Sequence, residues 1–329
     1  MKLSNGKPVV GLALGSGSAR GWSHIGVILQ LEEMGIRPQV VAGTSIGALV
    51  GAVYVAGQLQ DLAEWVQKLT VRDVVGLMDF TFSGGVVKGE KLFGSFNERH
   101  ANPNIEDLEQ RYVSVCTEMK TGREIWITRG PILTAARASC ALPGVFSPVK
   151  FEDRWMLDGG LVNPVPVSAC RAQGADVVIA VNLNAQLVGA HLSRASRQLV
   201  EREADAEDAA DAAEAAAKGQ EAALSVAAKP PAEAGAAKPG RGFWQRVIGY
   251  FESTDAEHPG LFDVVASSIN IMQDRITRSR MAGDPPEITL IPLLEDFALM
   301  DFHRAAQAIE EGRDLVRRHE AELRAWTQA

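Results

Sequence analysis

The stretch Val40-Val41-Ala42-Gly43-Thr44-Ser45-Ile46-Gly47-Ala48-Leu49-Val50-Gly51 constrains this chain more than any other. A short β-branched run ends at Gly43, and a small-residue helical pattern follows Gly47. Gly-x-Ser-x-Gly therefore stands between a strand and a helix, the context of a nucleophile elbow. So sharp a turn strains the backbone of its central residue and excludes bulk two positions to either side. Ser45 is expected at the apex, its hydroxyl above the sheet edge at the positive end of the new helix. Ala48, Gly51 and Ala52 would let that helix lie close to the strand. A glycine-rich turn with an idle serine fits the same five residues; the flanking strand and helix argue for the elbow.

The surroundings read as an α/β protein. An apolar strand at 9–14 runs into Gly15-Ser16-Gly17-Ser18-Ala19-Arg20-Gly21, then a helix closed by Gly35, then a strand at 39–42. This βαβ unit predicts a three-layer α/β/α fold with a mainly parallel central sheet. Strands are expected at 111–117 and 123–128, and at 151–157 around Glu152-Asp153-Arg154, ending at Asp158-Gly159-Gly160. The uncharged, β-branched run 177–183 reads as a central parallel strand. Helices are expected at 59–69, 134–139, 261–280 and from about 301, with a strand at 287–291.

One segment breaks the pattern. Residues 185–240 are rich in Ala, Glu, Asp and Lys and carry too few large apolar side chains to offset the entropy of ordering. They read as a flexible insertion between residues 1–184 and 261–329, which together make one catalytic domain. Residues 241–260 open on a helical face of Phe243, Trp244, Val247, Ile248 and Phe251 beside Arg241 and Arg246. Such a face suits peripheral contact with a membrane surface, or a lid. It equally suits a helix packed on the core or a homodimer contact. No apolar run is long enough to span a bilayer, and the N-terminal one is too short for a signal peptide. A cytoplasmic protein is expected, peripheral on the inner membrane face where it meets lipid. The formal net charge of −8 argues against a nucleic-acid partner. Cys116, Cys140 and Cys170 are widely spaced in apolar surroundings, as buried thiols are, so neither a disulfide frame nor a metal site is expected.

The first glycine-rich loop is not a dinucleotide site. Its spacing, Gly15-x-Gly17-x-x-x-Gly21, is one residue too long, and the next strand ends in Ala42-Gly43 where a ribose-binding acid belongs. What remains is a plain tight turn, or a backbone turn at a helix N-terminus able to aim N–H groups at a negative oxygen. No late histidine sits in a supporting motif, and only one strand–helix unit precedes Ser45, unlike the usual order in α/β-hydrolases. Asp158, at a strand end before two glycines, is the better candidate base for Ser45. Asp-Gly is also an ordinary hairpin turn.

Taken together, Gly15–Gly21 with Trp22-Ser23-His24-Ile25-Gly26-Val27, then Gly43–Gly47, Ala138–Pro148 and Asp158-Gly159-Gly160, resemble the patatin-like phospholipases. Arg280–Pro286 and Asp301–Ala305 bring the likeness close to the small bacterial members called RssA. The resemblance implies a lipid acyl hydrolase, acting on a phospholipid or lysophospholipid without metal or cofactor. It implies Ser45 as nucleophile and Asp158 as proton acceptor, with no histidine. The oxyanion loop would include Gly15, with donors at Gly17 and Ser18 helped by Arg20. His24 would brace that loop, and Cys140 would be a bystander. Ser16 and Ser18 stand where many relatives have glycine. The same acyl-serine chemistry also serves transacylation or thioester cleavage, and a family member can persist as a lipid-binding or regulatory protein.

Overall fold

The structure, a computed structural model, describes residues 7–77, 90–185 and 261–328. From residue 186 on, the expected insertion and the stretch 241–260 with Phe243, Trp244, Val247, Ile248 and Phe251 lie outside the described residues. One eight-stranded sheet holds β1 (Val10–Leu14), β2 (Val40–Thr44), β3 (Arg111–Glu118), β4 (Glu124–Ile127), β5 (Val149–Phe151), β6 (Arg154–Asp158), β7 (Val177–Val181) and β8 (Ile288–Leu290). β8, β7, β1, β2 and β3 run parallel in that order, while β4, β5 and β6 join antiparallel beyond β3. The expected three-layer α/β/α architecture is observed, with a mixed sheet whose core is parallel.

Ten helices flank the strands among the described residues: α1 (Ser23–Glu33), α2 (Ile46–Val55), α3 (Leu59–Val66), α4 (Val71–Leu77), α5 (Glu90–Arg99), α6 (Ile132–Ser139), α7 (Val167–Ala172), α8 (Leu261–Gly283), α9 (Ala305–Arg318) and α10 (Glu320–Thr327). Strand period sorts the core into two faces. Leu12, Leu14, Val41, Tyr112, Ile179 and Val181 point to the side of α1, α2, α3, α6 and α9. Ala13, Val40, Ala42, Val113, Val115, Val178 and Ala180 point to α7, where Val167, Ala169 and Cys170 close a thinner layer. Both faces are covered, which is why the central strands read as continuous apolar runs.

α1 and α9 touch backbone to backbone. A Cβ on Gly26 would run into the Ile309 carbonyl, and one on Gly312 into the Ser23 carbonyl. The contact holds the helix that follows the first glycine loop against the C-terminal part of the chain.

β3 does the most to assemble the site. β4 lies along one of its edges, and the other edge is shared by two strands. β2 pairs up to Thr44 opposite Val115, and β6 arrives from the far end with Asp158 opposite Cys116. The C-terminal ends of β2 and β6 thus meet head to head against adjacent β3 residues. The Glu152-Asp153 turn between β5 and β6 puts both residues at positive φ, 45° and 62°, the backbone of a tight hairpin. Hairpin duty therefore falls to this turn and not to Asp158-Gly159, which opens a 3-10 turn at Gly159–Leu161.

Candidate active site

Ser45 caps α2 with φ 57° and ψ −125°, a conformation that side-chain-bearing residues avoid. The flanking glycines are required by space: a Cβ on Gly43 would strike the Gly47 carbonyl, and one on Gly47 the Leu14 carbonyl. The strained amide is held from outside. Ser45 N–H donates to Ser139 Oγ at 2.8 Å, and Ser139 Oγ–H donates to the Val115 carbonyl at 2.5 Å. Ser139 belongs to the stretch that carries the family resemblance, yet nothing local in the sequence gives it this role.

Ser45 Oγ–H donates to Asp158 Oδ2 at 2.6 Å, across 113 residues of chain. The other carboxylate oxygen accepts the Gly160 N–H at 2.7 Å. The main chain of Asp158 is fixed as well, its N–H to the Ala141 carbonyl at 2.9 Å and its carbonyl from Thr117 Oγ1 at 2.8 Å. Asp158 is fully buried, and loss of hydration pushes its pKa up to about 6, against the opposing pull of the Ser45 and Gly160 hydrogen bonds. On the same strand Met156 is fully buried, whereas Trp155 is 53% exposed. Gly159 and Gly160 serve close approach and not positive φ. A side chain on Gly159 would meet the Val115 carbonyl, and one on Gly160 the amide of Gln273.

The first glycine loop passes beside the elbow because β1 and β2 are neighbours. Its amides divide sharply. Gly15 N–H is used by the Val181 carbonyl at 3.1 Å, Ser16 N–H by Pro164 at 2.8 Å and Ala19 N–H by Leu299 at 3.2 Å. Among the described residues, the amides of Gly17 and Ser18 have no protein acceptor. Gly17 must be small, since a Cβ there would come within 2.6 Å of Leu183. Ser18 takes φ 51° despite its side chain, and its hydroxyl bonds the Leu299 carbonyl at 2.6 Å to keep it there.

Arg20 does not reach the cavity beside Ser45. Its buried guanidinium donates to Asn184 Oδ1 at 3.1 Å and to the Phe297 carbonyl at 3.4 Å, behind the loop, and burial lowers its pKa to about 10. His24 is also fully buried; it donates Nε2–H to the Gly15 carbonyl at 2.8 Å, and desolvation lowers its pKa to about 4. It stays neutral and braces the loop from below. The three cysteines are buried and unpaired, and Cys140, on the cavity wall, is pushed well above the usual thiol range by burial and by Asp158.

Ser45, Gly17 and Ser18 open on one cavity whose walls are overwhelmingly apolar, with Ile46, Leu49, Phe93, Phe96, Leu142 and Val145 among them. Phe96 stands edge-on to Trp65 at 4.8 Å, and Phe93 meets Phe146 at 6.2 Å, so α3, α5 and the loop after α6 close on one aromatic lining. α4 and α5 are not evident in the sequence, where short turns of helix carry little periodicity.

Residues 12–171 match the family model described as patatin-like phospholipase. An uncharacterized NTE family protein of Mycobacterium tuberculosis is 33% identical over 335 residues, covering 94% of this chain and 90% of that one. The chain belongs to the patatin-like phospholipases, in the NTE family. Outside the mycobacteria, this family member is 32% identical over 189 residues to "Lysophospholipase nte1" of Emericella nidulans, which covers 53% of this chain and 12% of the fungal protein. The crystal structure of VipD from Legionella pneumophila aligns with a TM-score of 0.44 at 12% identity, over 97% of this chain and 69% of that one. In this patatin-like chain, the four family stretches read from the sequence fall on the loop after β1 with the start of α1, the elbow, the end of α6 with the loop after it, and the end of β6. All four surround Ser45.

Proposed function

We propose that this phospholipase-family chain is a serine lipid acyl hydrolase acting through Ser45 and Asp158. The observation that carries the reading is the 2.6 Å hydrogen bond from Ser45 Oγ to a buried carboxylate, beside two unengaged amides and an apolar cavity. The substrate's acyl chain enters that cavity with its carbonyl carbon above Ser45 Oγ. Asp158 Oδ2 takes the hydroxyl proton as Oγ attacks, and the carbonyl oxygen, now negative, receives the Gly17 and Ser18 N–H groups. The intermediate collapses, the C–O bond to the alcohol breaks, and Asp158 returns its proton to that oxygen. Water then attacks the acyl-serine and gives a proton to Asp158, the bond to Ser45 Oγ breaks, Asp158 returns that proton to Oγ, and the fatty acid leaves. Arg20 and His24 act through the loop, as positioning residues.

An aspartate at its ordinary value is a poor base for a serine; one held near 6 is better matched to neutral pH. Each oxyanion donor contributes roughly 3 kcal/mol of transition-state stabilisation. The family and the fungal lysophospholipase among its relatives support a phospholipid or lysophospholipid substrate. The catalytic domain is built from residues 1–184 and 261–329, and the basic, aromatic face at 241–251, read from sequence alone, is assigned to the lipid surface.

A fluorophosphonate probe and a panel of phospholipids and lysophospholipids test the reading together. Wild type is expected to label and to release fatty acid, and Ser45→Ala to do neither. An unlabelled, inactive wild type would instead favour a lipid-binding or regulatory protein.

A further inference from the structure

α8 brings one polar side chain to the cavity wall that neither the elbow nor the oxyanion loop accounts for. Gln273 is 5% exposed and lines the same cavity as Ser45. Its Oε1 accepts from Ser16 Oγ and from Asn184 Nδ2, each at 2.9 Å, and Asn184 Nδ2 also reaches Ser16 Oγ at 3.3 Å.

The polarity of this network follows from Arg20. A guanidinium has donors only, so the Asn184 atom 3.1 Å from Arg20 Nη2 must be its carbonyl oxygen. The remaining end of Asn184 is then an NH2 group and requires an acceptor, which fixes the Gln273 atom it meets as oxygen. Gln273 is left with its own NH2 turned the other way, against Gly160, where a Cβ would collide with it. Among the described residues that NH2 has no acceptor. Gln273 lines the cavity, so an amide donor with no protein acceptor is free there to meet a ligand oxygen.

Gly160 is the residue whose N–H holds Asp158 Oδ1, so the Gln273 amide stands beside the turn that presents the proton acceptor. The free amides of Gly17 and Ser18 serve the carbonyl oxygen, and the apolar walls serve the acyl chain. The polar part of an ester left without a partner is its alcohol half. We propose that the Gln273 NH2 group binds an oxygen of the glycerol moiety and makes the site selective for glycerol esters, with Arg20 and Asn184 holding the amide in that orientation. This rests on the acyl-hydrolase reading above.

The test uses the full chain and two substrates with the same acyl group, a lysophosphatidylcholine and a 4-nitrophenyl ester whose leaving group has no glycerol oxygens. Gln273→Glu keeps an oxygen for Ser16 and Asn184 but replaces the donor, and Gln273→Met removes both. Assays at pH 9 keep Asp158 ionised in every variant. For both variants, kcat/KM for the lysophospholipid is expected to fall about tenfold further than that for the aryl ester, the size of one lost hydrogen bond to substrate. Asn184→Asp, which keeps the Arg20 contact but has no donor for Gln273, is expected to show the same bias in weaker form. Equal losses on both esters, or none on either, would overturn the proposal while leaving the hydrolase reading in place. Failure of wild type to cleave either ester or to react with a fluorophosphonate would remove both.

Discussion

Ser45 illustrates how strain and chemistry share one residue. Its backbone, at φ 57° and ψ −125°, is kept there by the glycines on either side and by Ser139, and the strain lifts the hydroxyl toward Asp158. Asp158 carries a related cost. It sits near 6 in the fold against an ordinary 3.8, so the folded state binds its proton more tightly than the unfolded chain does. Its contribution to stability is complete below pH 3.8 and is lost as pH rises through 6, a loss of about 3 kcal/mol by pH 8. Asp158→Asn removes the buried charge. The variant is expected to be inactive yet more stable than wild type at pH 8 by about 2–3 kcal/mol, the gain vanishing below pH 4. Urea unfolding at the two pH values measures this. In wild type, kcat/KM should rise with pH along an acid limb centred near 6, because the base must be ionised. A flat profile from pH 5 to 8 would exclude Asp158 as the proton acceptor.

Among the elements, β3 and the α1–α9 pair set the geometry. Ser45 and Asp158 meet because β2 and β6 terminate against neighbouring residues of one strand, not because either has local reason to approach the other. The first glycine loop is placed by β1 beneath it and by α1 beyond it, and α1 is located by its glycine contact with α9. Gly26→Ala forces those two backbones apart. It is expected to cost about 2–3 kcal/mol in thermal or chemical unfolding, as overpacking at a rigid contact does. Activity should fall with it, because the 3-10 turn Ser18–Trp22 leads directly into α1. Gly35→Ala is a useful contrast. No atom lies within 4 Å of a Cβ there, and the residue sits at φ 78°, so its cost comes from backbone conformation alone and should leave turnover by the folded enzyme intact.

At the scale of the molecule, residues 261–328 are needed for the site as well as for the core. β8 extends the sheet beside β7, Arg280 of α8 pairs with Glu124 of β4 at 2.6 Å, and Leu299 anchors the first glycine loop. No helix among the described residues is long and apolar enough to cross a membrane. Liposome flotation of the full chain and of a variant lacking 241–252 tests the proposed lipid-facing stretch. The deletion is expected to lower the bound fraction several-fold while soluble-ester hydrolysis continues; unchanged flotation would discard that assignment.

Local sequence carried the elbow, the glycine loop, the parallel strands and the identity of Ser45 and Asp158 as candidates, because each rests on short-range rules of backbone sterics and strand period. It could not divide the first glycine loop into engaged and free amides. That division depends on the carbonyls of Pro164, Val181 and Leu299, which lie far along the chain. Nor could it show that Arg20 turns away from the cavity to Asn184, or that Ser139 holds the Ser45 amide. Hydrogen bonds in water-poor interiors are settled by which partners tertiary packing brings within 3 Å, and neighbours in sequence say little about that. The primary structure determined which residues could do chemistry; the register of β2 and β6 on β3 decided that two of them would meet.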